Sequence, residues 1–563
     1  MTKVAKTFIN VLLGLFVTAI PVFVQVEDGS ISGTVKDASG AVVARVTVRA
    51  KSMATGAERT TTTGTLGQYT ITALTPGNYE VVISGEKFQT SRTTTVVTVG
   101  GISTVDALLT VRSRSVVIDV LGSTTTQVNT ETQELSQLIN TQQVAQLPSL
   151  TRNIYDFVAL SGNVSGGDNS TNMGNSMNSN SGQNTGNQGV GYAINGQREA
   201  GTEILLDGVE NTEVFAANVG VQGPVDAVQE YSIITSNFAA EYGRASGGVV
   251  NVTTKPGSNS FHGSAWEFNR LSAYTANTYD NVALGQPKGT YTRNMFGFNV
   301  GGPLIKNKLF ASMTAEWTRV RSAAIESELI PTAQFLAFAA PNVQSYFHAF
   351  GATPYAISST LNQSQLGVSI PCPASMIATC GGPTLPTGTP IFGQVNFATN
   401  ADAGGDYPQN TYRLLGRVDY NLSDKTQMFA RFGQENQNLF AGRDFYGPYP
   451  QYDVGTAINN DTGLFSVTHT FNSYLLSNSK VSVSRLTNPL TYSGAYQNVP
   501  ELLLGGASSP SCLQITFPGL ANDMFAGAAG VVRAERPPKI CRSRSPRTVT
   551  FLRASGEWRG TLT

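Results

Sequence analysis

Polar and apolar positions along this chain follow two different periods. From Gly29 to Val111 they alternate in short stretches closed by turn residues, the pattern of half-buried strands. GSISGTVKDASGAVVARVTVRA predicts two strands about a turn at Asp37 to Gly40. GQYTITALTPGNYEVVISGEKFQ predicts two more about Pro76-Gly77-Asn78. Together they predict a small β-sandwich, and no cluster of ionisable residues falls inside it. After the β-rich SVVIDVLGSTTTQVNTET the period lengthens. Leu135, Leu138, Ile139 and Val144 recur at helical spacing until Pro148, and Ile154, Phe157 and Val158 share a face in RNIYDFVALSGNV. Two short helices packed on a sheet are expected.

Residues 161–190 are rich in Asn, Ser and Gly and too poor in apolar side chains to order themselves, which predicts a long mobile loop. GYAINGQREAGTEILLDGVEN follows, read as a hairpin: Tyr192–Asn195, a polar turn, then Glu203–Leu206. Asp207-Gly208 ends the second strand in a turn, where Asp accepts backbone hydrogen bonds and Gly takes a positive φ. Arg198 is expected to reach a surrounding wall. YSIITSN and GGVVNVTTK predict two strands flanking the glycine-bearing turn AEYGRASGG.

Beyond residue 259 strict alternation returns in longer segments. Phe296, Phe298 and Val300 alternate with Met295, Gly297 and Asn299. Tyr412, Leu414, Val418, Tyr420 and Leu422 share one face before a tight turn at Ser423-Asp424-Lys425. Phe465, Val467 and Phe471 oppose Ser466, Thr468 and Thr470. Segments of ~10 residues with short turns at one end and long loops at the other are the pattern of an outer-membrane barrel. The insertion at 320–410 is then extracellular. About seven candidate strands fall between Phe261 and Leu486, an odd and small number for a bacterial barrel.

Composition narrows the classes. Lys+Arg and Asp+Glu both total 37 in 563 residues, so the net charge is zero and no overall basic face exists for nucleic acid. Charged residues are only 13%, and Gly reaches 57, which suits turn-rich β-structure. Lys3 and Lys6 precede an apolar run from Phe8 to Val24, the form of a secretory signal, with an uncleaved anchor as the alternative. No later run reaches the ~20 apolar residues of a spanning helix. Any membrane insertion must therefore use a closed sheet. In an exported protein Cys372 and Cys380 read as a local disulfide. The three histidines are scattered, and neither a metal site nor a cofactor site is expected. From Val531 the chain turns Arg-rich without strand alternation. An out-of-frame segment over 533–563 is expected, with a basic disordered tail as the alternative.

Two resemblances add to this reading. G-x-V-x-D-x-x-G followed by G-x-Y-x-I-x-x-L-x-P-G-x-Y-x-V resembles the carboxypeptidase regulatory-like domain, a non-catalytic transthyretin-like or carbohydrate-binding-like sandwich. This chain has Thr63-Gly64-Thr65-Leu66-Gly67 where that family often carries an acidic residue before the second-strand glycine. VVIDV, QLPSLTRNIYDFVALSGNV, INGQR, LLDGVEN and VQEYSIITSNFAAEYGRASGGVVNVTTKPGSNSFHGSAWEF resemble, in order, the plug and first barrel strand of Oar-like TonB-dependent outer-membrane receptors. GGPLIKNKLFASMTAEW at 301–317 resembles their second and third barrel strands.

The resemblance implies a mainly β chain. Its parts are a signal peptide at 1–28, a sandwich at 29–112, an α+β plug at 113–258, an incomplete antiparallel transmembrane barrel at 259–530 and an anomalous tail at 531–563. It implies outer-membrane uptake of an unidentified extracellular substrate, driven by a TonB-type periplasmic transducer, with outer-membrane lipid around the barrel. Val116, Val117, Ile118, Asp119 and Val120 are the expected coupling segment, with a last sandwich strand as the alternative. Asn195, Gly196, Arg198, Asp207, Gly208, Glu241, Tyr242, Gly243, Arg244, Gly247 and Gly248 form the expected plug motif. Two other functions stay open: a secreted or surface glycan-binding protein, and an enzyme using Asp207 with Glu203, Glu210 or Glu241. The latter lacks a nucleophile–base–orienter set.

Overall fold

The computed structural model describes residues 28–111, 118–120, 134–147, 149, 152–166, 192–212, 219–239, 242–277, 279–283, 287–339, 341–366, 370, 377–400, 403, 408–442, 447–472, 475–487, 490–492 and 548–560. The leader, residues 167–191 of the polar loop, Val116, Val117, Glu241 and Cys372 lie outside them.

The first unit runs β1 (Gly29–Asp37), β2 (Thr47–Ser52), β3 (Glu58–Thr62), β4 (Gln68–Leu74), β5 (Gly77–Ser84), β6 (Ser91–Val97), β7 (Ile102–Thr104), β8 (Ala107–Leu109) and β9 (Ile118–Val120). One sheet has the order β4-β1-β7, with β8 also on β1, and the other β3-β2-β5-β6-β9. Alternation explains the pairing of faces: Ile31, Val35, Val48, Tyr69, Tyr79 and Val81 point into one shared core. Asp37 holds its expected turn by accepting the Ser39 and Ala41 amides at 2.9 and 3.0 Å.

The second unit departs from expectation at its start. Leu135–Ile139 is a strand, β10, and the helix covers only Thr141–Gln146, capped by Asn140 and Gln143. The spacing of Leu135, Leu138 and Ile139 fits either element, and antiparallel pairing with Tyr231–Ser236 decides for the strand. Ile154–Leu160 is a 3₁₀ helix with Ile154, Phe157 and Val158 buried as anticipated.

The expected hairpin within 192–206 does not form. β11 (Val164–Gly166), at the start of the presumed loop, pairs with β12 (Tyr192–Ile194). β13 (Thr202–Leu206) instead turns back through Asp207-Gly208 into β14 (Val209–Glu210). β15 (Val228–Ser236) and β16 (Gly248–Thr254) are antiparallel as read from the sequence, and β13 runs parallel to β16. The sheet order β10-β15-β16-β13-β14 buries Ile204, Leu206, Tyr231, Ile233, Val250 and Val252 beneath the helical segments.

The third unit is one curved antiparallel sheet. Its strands are β17 (His262–Leu271), β18 (Thr290–Ile305), β19 (Leu309–Pro331), β20 (Ile357–Asn362), β21 (Pro390–Thr399), β22 (Gln409–Ser423), β23 (Thr426–Leu439), β24 (Val454–Asn472), β25 (Leu475–Thr487), β26 (Leu490–Tyr492) and β27 (Thr548–Gly560). The wall order is β17-β18-β19-β22-β23-β24-β25-β27. Among the described residues its two ends do not pair, so the barrel is open. The wall strands from β17 to β25 are the ones alternation marks, but most are longer than expected. The insertion after β19 is no plain loop: β21 extends the sheet along Ala324–Pro331, and two small apolar clusters pack there. Thr548–Gly560 in the basic tail pairs along Leu475–Thr487, where a strand was not foreseen. An open edge accepts any extended backbone and demands no side-chain alternation.

The two wall faces differ sharply. Phe296, Phe298, Val300, Val418, Phe432 and Phe465 stand exposed on the outer face. Phe296 stacks on Trp317 with ring centroids 5.8 Å apart. On the inner face Arg413, Arg417, Arg431, Glu435, Asn460 and Lys480 are buried against the plug. That is the apolar-out, polar-in wall of a barrel in lipid. Phe298→Arg is expected to cost about 2–4 kcal/mol, the price of arginine at mid-bilayer. Urea titration of folding into lipid vesicles checks it, against Asn299→Thr on the opposite face as the mild control.

Candidate functional site

The plug meets the wall at the Asp207-Gly208 turn. Both residues have positive φ, 52° and 67°, so the two-residue loop is the tight hairpin turn that favours Asp or Asn followed by Gly. The turn projects Asp207 from the end of a fully buried strand, and the residue has no solvent exposure. Its Oδ1 accepts from the Thr254 amide at 2.8 Å, and both carboxylate oxygens receive the Thr254 hydroxyl. Those bonds aim the carboxylate at the wall.

There Arg417 on β22 and Arg431 on β23 sit directly opposite each other in the strand register. Like charges so placed repel. Asp207 bridges them: Oδ1 lies 3.4 Å from Arg417 Nη1 and Oδ2 lies 3.1 Å from Arg431 Nη1. Arg431 also donates to the Leu206 carbonyl at 3.0 Å, and Lys480 on β25 donates to the Asp207 carbonyl at 3.3 Å. Asp419 flanks the group, 2.9 Å from Arg417, and accepts the Gly257 amide at 3.2 Å.

A second layer lies along the same wall. Arg413 and Glu435, again directly opposite, pair at 3.2 Å. The plug residue Gln222 joins both, its amide donating to Glu435 at 3.1 Å and its Oε1 accepting from Arg413 at 2.9 Å. Arg152, on the plug, forms an ion pair with Asp226 and lies 3.5 Å from Glu316 on β19, which also accepts from Trp266. Asn460 donates to the Gly220 carbonyl at 2.6 Å. The plug is therefore held by directional polar bonds to a polar lumen.

The remaining described motif residues lie as follows. Asn195 and Gly196 form another positive-φ turn, and Asn195 donates to the Thr235 and Gly247 carbonyls. A side chain at Gly248 would come within 2.9 Å of Ile234 O, so only glycine fits between the strands. Tyr242 packs on Leu205, Ile234 and Val249. Gly243 and Gly247 lie in the turn that precedes β16, and Arg244 pairs with Glu210. Arg198 stands exposed, contrary to its expected wall contact; Asp207 makes that contact because the tight turn carries it outward. The acidic residues near Asp207 are held apart, Asp207 by the wall arginines and Glu210 by Arg244. Ile118–Val120 runs parallel to Ser91–Thr93 as an edge strand of the sandwich, the alternative left open for the coupling segment. Among the described residues no group of His, Cys, Asp and Glu could hold a metal. The wall charges escaped sequence reading, although Arg413 stands between Tyr412 and Leu414 and Arg431 between Ala430 and Phe432, the inward position between outward apolar residues.

Two family profiles match: an outer membrane beta barrel domain over residues 253–536 and a carboxypeptidase regulatory-like domain over residues 30–110. The chain belongs to the outer-membrane β-barrel family. That family places it in the outer membrane, and the curated relatives it is similar to are TonB-dependent proteins. The TonB-dependent transporter Oar of Myxococcus xanthus is 29% identical over 313 residues, 52% of this chain and 27% of that protein. The probable TonB-dependent siderophore receptor PirA of Acinetobacter baumannii is 30% identical over 145 residues, 24% of this chain and 18% of its own length. The chain thus spans about a quarter or less of these curated relatives. The crystal structure of PirA from Acinetobacter baumannii is similar with a TM-score of 0.40 and 16% identity, covering 75% of this chain and 45% of that one.

Asp207→Ala is expected to destabilise the plug-bound wall by about 3–5 kcal/mol, because removing one partner strands buried charge. Adding Arg431→Met should recover part of the loss by removing the facing cation; urea unfolding of the single and double variants checks both. A second prediction concerns Glu230 on β15, outside the spanning strands. Its Oε1 accepts the Val99 amide of the sandwich at 2.5 Å. Burial pushes its carboxyl from 4.5 up to about 7, opposed by that hydrogen bond. A raised value means that the buried site, despite the hydrogen bond, favours the protonated form. Its contribution is full below the free value and is lost as pH climbs through about 7. Denaturation midpoints against pH should fall across this range in the native chain and stay flatter in Glu230→Gln.

Proposed function

We propose that the chain serves energy-coupled uptake of an extracellular solute across the outer membrane. In this reading residues 29–112 are a periplasmic sandwich, 113–258 the plug and 259–530 the wall. Substrate binds from outside, and a TonB-type periplasmic transducer acts on a short extended segment to rearrange the plug. The observation that carries the reading is Asp207 bridging Arg417 and Arg431. An apolar plug–wall interface would resist sliding with its whole buried area, whereas a few directional polar bonds exchange for water one at a time in a polar lumen.

The proposed coupling segment is Val116–Val120. Its described part, β9, ends its sheet order and so leaves one backbone edge for strand addition. Single cysteines at Val117 and Asp119 are expected to crosslink to the transducer in cells, and absence of any crosslink at either position would leave β9 as a sandwich strand alone. The competing reading, a secreted glycan-binding protein, predicts recovery in the soluble exported fraction. Uptake predicts outer-membrane fractionation and gel mobility that changes on heating.

A further inference from the structure

Among the described residues the N-terminal sandwich touches the rest of the chain at the short-turn end of the wall and at plug strand β15. The loop between β2 and β3 meets the entrance to the wall, where the Asn259 amide donates to the Ala54 carbonyl at 2.9 Å. Asn259 is itself tied to Asn307, at the tip of the β18–β19 turn, by two bonds of 2.8 Å. Arg59 on β3, only 5% exposed, donates to Gln427 at 3.1 Å and to Thr470. These two residues lie beside the β22–β23 and β24–β25 turns. The third contact is the Val99 amide on Glu230 of plug strand β15.

The seat is therefore shared between wall and plug. Chain connectivity alone would keep the sandwich attached without such contacts. A largely buried arginine whose partners lie more than 360 residues away in sequence marks a built interface. Short turns face the periplasm in barrels of this class.

We propose that the sandwich is a periplasmic cap: seated across β15 and the short wall turns, it clamps the plug in the lumen, and its detachment loosens the plug. This inference goes beyond the uptake reading and does not require it, since uptake could fail while the clamp stands.

The test uses the full chain in outer-membrane vesicles, with Ala54→Cys and Asn259→Cys joined by a short bismaleimide and amide exchange followed in β15 and β16. The pair is expected to crosslink well above a distant cysteine pair. Gln427→Ala with Thr470→Ala, on the wall side, should lower the crosslink yield. It should also speed plug exchange roughly tenfold, the change that corresponds to about 1.4 kcal/mol. Exchange in sandwich strands β2 and β5 should stay unchanged. Arg59→Gln should reproduce the effect from the other side of the seat. A crosslink no better than the distant pair, or one indifferent to both sets of variants, overturns the cap. A lost crosslink with unchanged plug exchange overturns the clamp. If Arg59→Gln speeds exchange in β2 and β5, the sandwich itself has loosened and the wall-side variant decides.

Discussion

Two arginines facing each other across neighbouring strands cannot be comfortable in a buried wall, and the plug is organised around relieving them. Arg417 and Arg431 are fixed by the β22–β23 register, so neither can move away without breaking the ladder. A single carboxylate from Asp207 reaches both. The positive-φ turn, the closely packed glycine strand and Thr254 all serve to hold that carboxylate in place. Wall and plug thus depend on each other electrostatically, because the plug's carboxylate is a counter-charge shared by both wall arginines.

Much of this architecture is legible locally. Strand alternation is written directly into Phe296–Val300 and Tyr412–Leu422, because lipid on one side and a polar lumen on the other impose period two. The Asp-Gly turn announces itself through residue type. What escapes is whatever depends on distant partners. Leu135–Ile139 carries spacing that suits a helix, and only β15 makes it a strand. The partners of Asp207 lie 210 and 224 residues away, so no local pattern could pair them. Sequence assigns the wall contact to Arg198 and a turn to Asp207, and the turn's geometry carries Asp207 to the wall instead.

The three units also differ in how they are held. Sandwich and plug each close on an apolar core of their own. Contacts between units add polar and charged partners, through Asp207, Gln222, Arg152, Arg59 and Glu230. Apolar cores make each body persist as a unit, while polar seams let bodies part without exposing greasy surface.

The strand Leu309–Pro331 has 23 residues, which at ~3.3 Å each is about 75 Å of continuous strand. Even tilted by ~40°, it rises far beyond an apolar band about 25 Å tall. One unbroken strand is therefore both membrane wall and external mast. Whatever first touches the insertion packed on its outer end does so tens of ångströms from the arginine-bound carboxylate. Substitutions in the insertion and at the carboxylate can then act independently, because a long strand separates the two places.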